Sequence, residues 1–183
     1  MSRTLLALAA LGALVYAATS KKSGNGNGSM PAPGKVVESG TIESKNGPFE
    51  WKVESPASNS YVAYWKTSAN NEWVPLRVVP TDQTTPIAAF RTTEMAINAL
   101  KNAAGEWLNP GVVIYEIPRN TQSGPVVVRV IHDLPGQYAM AYATGPNQDF
   151  VPVRYGLNPN AMHEEFYGLE DVWLAIKNYF PSA

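Results

Sequence analysis

At 183 residues the chain has room for one ordinary domain or two very small ones, and its 45% hydrophobic and 16% charged content is globular rather than disordered. The absence of cysteine excludes disulfides, thiolate catalysis, Cys-based zinc or iron–sulfur sites and anchoring through a lipidated N-terminal Cys. The net charge of −1 is split: eleven of the fourteen bases and all fifteen acids lie beyond residue 34, leaving that part near −4 and the first 34 residues near +3. An acidic body without clustered Lys/Arg cannot displace phosphate counterions, so no nucleic-acid partner is expected.

Met1 to Thr4 precede an unbroken small or apolar run, Leu5 to Ala18, followed by Lys21-Lys22. Fourteen helical residues reach about 21 Å, short of the roughly 30 Å hydrocarbon core. Residues 1–19 therefore read as a membrane anchor or a signal segment, and two outcomes stay open. A retained anchor would meet the membrane through residues 5–18 and place the lysines among headgroups. A signal cut after Val15-Tyr16-Ala17 would release a secreted chain. Residues 20–34 form a linker: the Gly/Asn/Ser stretch to Ser29 is flexible, and Met30-Pro-Ala-Pro-Gly34 is stiffer. Its alternating glycines do not make a phosphate loop, because no strand precedes them and no helix with a Lys follows.

Beyond the linker the chain matches itself. At an offset of 77, nine of the 32 positions from Asn46 to Arg77 are identical, among them Val74-Pro75 and Arg77 against Val151-Pro152 and Arg154. At an offset of 76, five of the 13 from Phe90 to Asn102 are identical, and Val36-Val37 meets Val112-Val113. Chance would give about two and about one. The expected organisation is a tandem duplication, 35–110 and 111–183, of an α+β module: three or four antiparallel strands closed by one helix. Packed with pseudo-twofold symmetry, two copies would share a core that about 75 residues alone support only marginally.

In chain order, Phe49, Trp51 and Val53 alternate with Glu50, Lys52 and Glu54, as in a strand with one face in water. Tyr61–Lys66 and Tyr138–Ala143 read as deeper strands, with turns at Asn70-Asn71 and Pro146-Asn147. Trp73–Val79 and Phe150–Tyr155 each carry Pro at the third residue, which places them at a sheet edge or bulge. Thr92 is the expected N-cap of a helix with Glu94 in its first turn, an inward stripe of Ala96, Ala99, Leu100 and Ala103, and a stop at Gly105. The second helix presents Val172, Ala175, Ile176 and Tyr179 and stops at Pro181.

Catalytic candidates are few. His132-Asp133 and His163-Glu164-Glu165 could supply a divalent-metal set for a small hydrolase, but they lack short ligand spacing, and solvated loop histidines are the expected reading. No nucleophile elbow or Ser-x-x-Lys appears, and Glu170-Asp171 suits a helix first turn. No enzyme activity, catalytic residue, metal or cofactor is expected. Tyr64, Trp65, Trp73, Tyr142, Phe150 and Tyr155 could form an aromatic binding face for sugars or peptides, against the plainer reading that they fill cores.

The first 30 residues, with their Ala/Leu run, Lys pair and Gly/Asn/Ser tether, resemble the N-terminal anchors of minor virion proteins of membrane-containing, tailless bacteriophages. That resemblance covers about a sixth of the chain and implies a structural protein joining an internal membrane to capsid or vertex components. Separately, Phe90-Arg-Thr-Thr-Glu-Met-Ala-Ile-Asn-Ala-Leu100 is similar to the strand-to-helix corner of small three-strand-plus-helix domains, several of which bind DNA. Glu50 and Glu54 depart from their basic sheets, so only the shape carries over. The expectation is a non-catalytic, membrane-tethered structural or adaptor protein, located at a virion internal membrane or bacterial envelope. Its expected partners are other structural proteins, with homo-oligomers allowed. The alternative is a secreted or envelope glycan- or peptidoglycan-binding module.

Overall fold

A computed structural model describes residues 34–44, 47–67, 70–145 and 148–183. The expected anchor and nearly all of the linker lie outside the described residues, as does the turn at Pro146-Asn147. Among the described residues, no helix is long and apolar enough to cross a membrane. The chain divides into two compact units between Trp107 and Leu108. Each is an antiparallel sheet with one α-helix, so the class is α+β.

The first unit runs β1 (Lys35–Ser44), β2 (Gly47–Ala57), β3 (Ser60–Thr67), β4 (Asn70–Pro75), β5 (Ala89–Phe90) and helix α1 (Thr93–Ala104). The sheet order is β1-β2-β3-β4, with β5 sharing the β4 side of β3. The alternation in β2 does what its period demands: Phe49, Trp51 and Val53 are buried while Glu50 is exposed. Across the sheet Trp51 faces Trp65 and Gly40, and Phe49 stacks on Trp65 with centroids 5.2 Å apart. Helix α1 packs against β1, β2, β3 and β5 through Ala96, Ala99, Leu100 and Ala104. The stripe ends on Ala104 rather than the expected Ala103, which is only half-buried. The Thr92 hydroxyl accepts from Met95 N at 3.1 Å, and Gly105 ends the helix at φ 76°, a left-handed conformation that costs glycine no Cβ clash.

The second unit runs β6 (Val112–Thr121), β7 (Gly124–Leu134), β8 (Gln137–Ala143), β9 (Val151–Pro152), a 3₁₀ turn (Tyr155–Leu157), β10 (Glu165–Tyr167) and helix α2 (Leu169–Tyr179). Its order is β10-β8-β7-β6, with β9 also on β8. Leu169, Val172 and Ile176 are the buried face of α2, whereas Ala175 and Tyr179 of the expected stripe are half-buried. Past the helix the tail returns to β6, where Ser182 bridges Thr121 and Ala183 N donates to Asn120 O at 2.9 Å.

The two units agree in detail. The first strand of each is bulged, between Val36 and Glu38 and between Val113 and Tyr115. Ser44 Oγ donates to Gly47 O at 2.8 Å, and Thr121 Oγ1 to Gly124 O at 2.7 Å. Leu76 N donates to Ala63 O at 2.8 Å, and Val153 N to Met140 O at 2.8 Å. Arg77 donates to the Thr85 carbonyl, and Arg154 to the Ala161 carbonyl. The matched Val-Pro-x-Arg segments thus have one structural meaning. Pro lies on an edge strand where no amide is needed, the next residue (Leu76 or Val153) is fully buried, and Arg pins the following loop.

Four sequence expectations change. Each sheet has five strands, because the two- and three-residue β5 and β10 are too short to show a period. Strand bounds set Lys35 against Val112, so the offset through β1 and β6 is 77 rather than 76. Asn70 and Asn71 belong to β4, since Asn70 pairs with Thr67. The expected strands Trp73–Val79 and Phe150–Tyr155 stop at Pro75 and Pro152.

Candidate functional surfaces

On the face of the first sheet opposite the helix, Lys52 of β2 lies across from Tyr64 of β3, which lies across from Pro75 of β4. Lys52 Nζ binds Glu54 Oε1 at 2.6 Å, and Gly34 N donates to Glu54 Oε2 at 3.3 Å. Glu54, expected in water, is therefore only 8% exposed: the start of β1 and the lysine cover it. Lys66 pairs with Glu50 at 3.0 Å. Both ammonium groups stand over Trp73, at 4.8 and 4.9 Å from its centroid. Burial first, and the Glu54 carboxylate second, raise the Tyr64 phenol above its ordinary range.

The second sheet has a related cluster in which Arg129 and Phe150 lie 77 positions beyond Lys52 and Trp73, while the carboxylate comes from Glu116 on β6. Arg129 Nε donates to the buried Glu116 at 2.7 Å, and its guanidinium lies 3.6 Å from the Phe150 centroid. In both units a cation of the second strand thus covers one face of an aromatic ring near the fourth. Such contacts contribute about 0.5–2 kcal/mol each, and they occupy ring faces that a sugar would otherwise use.

The six aromatic candidates do not form one exposed row. In the first unit Tyr64 and Trp65 are adjacent in β3, so they point to opposite faces, and they are 5% and 4% exposed. Trp73 is half-buried beneath its two lysines. In the second unit Tyr142 is half-buried against Phe180 at 5.1 Å, and Phe150 sits against Arg129. Tyr155 alone among the six is more than half exposed, at 54%.

Tyr155 has apolar company. Its amide donates to Met162 O at 3.3 Å, which brings it beside the most exposed large apolar side chain among the described residues, Met162 at 80%. Val151, Leu134, Tyr167 and Leu174 of the same unit are also exposed. Leu134 and Tyr167 both lie opposite Gln137. Between β10 and α2 runs an open groove of about 320 Å³ lined by Glu164, Glu165, Asp171, Leu174 and Tyr179. The Tyr179 hydroxyl donates to Glu164 Oε2 at 2.7 Å and accepts from Gly156 N at 3.3 Å. The bond to Glu164, followed by burial, raises the phenol above its ordinary range. Sequence reasoning missed these exposed side chains because Met162, Tyr167 and Leu174 follow no period that marks them as outward-facing.

The histidines separate. His163 is exposed and bridges Arg154, whereas His132 is 2% exposed. The expectation of two solvated loop histidines is corrected for His132: β7 continues to Leu134, and its period sends His132 inward with Val126, Val128 and Val130. Among the described residues, no group of three or more His, Cys, Asp or Glu is placed to hold a metal ion. Comparison with family models, curated proteins and solved structures finds no match to this chain.

Proposed function

We propose that this chain is a non-catalytic, membrane-tethered structural or adaptor protein. Residues 5–18 hold it to a membrane, the linker gives it reach, and a tandem-duplicated pair of modules presents a protein-binding surface. The observation that carries the reading is the set of exposed apolar side chains of the second unit, led by Met162 with Tyr155 beside it, where the first unit exposes only Val36, Val37 and Trp107 among its described large hydrophobics. Adjoining exposed apolar side chains such as Tyr155 and Met162 offer a surface on which a protein partner can dock. The duplication is supported by the shared strand order, the matching bulges and the hydrogen bonds that recur at offsets of 76 or 77. A flexible tether suits such a module, because it holds a docking domain at high effective concentration near its target. The likeness of the first 30 residues to virion anchors extends the proposal to a minor virion protein joining an internal membrane to the capsid.

Flotation with phospholipid vesicles tests the tether. The full chain is expected to float, and a chain lacking residues 1–19 to stay at the bottom. Equal behaviour of the two would overturn the proposal.

A further inference from the structure

We propose that the second unit carries an acid-responsive element centred on His132, whose protonation opens that unit and leaves the first intact.

The placement is unusual for a histidine. β7 is an inner strand, and His132 lies opposite Val112 of β6 on one side and Tyr138 of β8 on the other. Its ring meets Tyr138 edge-on at 6.2 Å, and Tyr138, second to burial, raises the phenol of Tyr115 of β6, itself 1% exposed. Nδ1 is buried and has no hydrogen-bond partner among the described residues. A neutral ring can leave that nitrogen as an idle acceptor. An imidazolium cannot, because both nitrogens then carry protons and the one on Nδ1 would face the core unsatisfied.

The surroundings give little help to a charge. The backbone of Asn109 hydrogen-bonds the ring and the neighbouring Asp133 carboxylate favours the charged form, but burial outweighs both and holds the imidazole below its ordinary range. Arg129 is an odd number of residues away on β7, so it and its partner Glu116 point to the opposite face. From α2 the buried side chains are Leu169, Val172 and Ile176, while Glu170 and Asp171 face solvent.

The direction of the effect follows. An opened chain takes up the proton near pH 6.5, and the native unit refuses it until a lower pH. Stability is complete above about 6.5. Below that value the opening equilibrium of the second unit grows by up to about tenfold per pH unit until the native ring itself protonates. The first unit has Ser55 at the corresponding position, and both histidines of the chain lie in the second. The backbone at the switch also closes the unit, since Gly111 N donates to His132 O at 2.8 Å at the entry to β6.

Amide hydrogen exchange of the full chain between pH 7.5 and 5, corrected for intrinsic rates, reads the two units separately. The expected result is loss of protection in β6, β7 and β8 of up to about tenfold per pH unit below 6.5, none in β1–β3, and abolition of this slope by His132→Gln but not by the exposed His163→Gln. Equal loss in both units, or an unchanged slope in His132→Gln, would overturn the proposal. Should His132→Gln not fold, NMR titration of the wild-type ring decides: a midpoint below 6.5 supports the switch, and one at or above 6.5 refutes it.

Discussion

Gly40→Ala probes the packing of the first unit most sharply. Gly40 sits in β1 opposite Trp51, and a Cβ built on it would lie 2.8 Å from Trp51 Cζ2 and 3.0 Å from Cε2. Real Cβ atoms do not approach so closely, and the indole cannot simply step aside, because Trp51 is 9% exposed in a core that also holds Trp65 and Phe49. Overpacking of this kind costs about 1–3 kcal/mol. Removing the unfolded-state freedom of glycine returns about 0.4–1 kcal/mol, because the Gly40 backbone suits an ordinary residue. The net expectation is a loss of about 1–2 kcal/mol, which at about 4–8 °C per kcal/mol is a visible fall in melting temperature. Urea unfolding followed by tryptophan fluorescence measures it directly. Gly145→Ala is the control: its Cβ would meet Gln148 at 3.6 Å, an ordinary contact, so that variant should be neutral or slightly stabilising. A double-mutant cycle with Trp51→Leu should recover most of the Gly40→Ala loss. A Gly40→Ala protein as stable as the Gly145→Ala protein would refute the packing argument.

Other perturbations follow from single contacts. Thr92→Ala removes the acceptor for Met95 N and should cost about 1 kcal/mol, read by the same urea unfolding, with Thr92→Asp restoring it. Tyr115 is fully buried, and its phenol is held well above the ordinary range by burial and then by Tyr138, so it ionises only on unfolding. Stability should therefore fall by up to about tenfold in the unfolding constant per pH unit above about 10, and Tyr115→Phe should lose that share of the slope. In a Trp107→Phe protein, which lacks the 67% exposed Trp107, peptidoglycan fragments are expected to leave tryptophan fluorescence unchanged, because Trp65 is buried and Trp73 lies under two lysines; quenching would instead favour the glycan-binding alternative.

Much of the local structure was legible in the sequence because its physics is local. The alternation in β2, the Thr92 cap and the Gly105 stop each depend on residues within a few positions of one another. Pro75 and Pro152 pointed to a sheet edge or bulge for the same reason, and both lie on edge strands. What stayed hidden depends on distant partners. Pro125-Val-Val-Val-Arg-Val-Ile-His132 is apolar at nearly every position, so its period does not reveal that His132 points inward. Glu54 reads as a solvent-facing residue until Lys52 and Gly34 close over it. The adjacency of Tyr64 and Trp65 already splits them across the sheet, but the covering of Trp73 by Lys52 and Lys66 and of Tyr142 by Phe180 depends on distant partners. The exposed group around Met162 assembles only through the loop that Arg154 ties down.

The most direct test of the central claim is the intact mass of the protein from its native source, taken together with its partition between membrane and soluble fractions. A membrane-tethered structural protein should appear at the full-length mass of 19.8 kDa in the membrane or particle fraction. A chain shortened by about its first 17 residues, through cleavage after Ala17, and found free in the soluble phase would contradict the account.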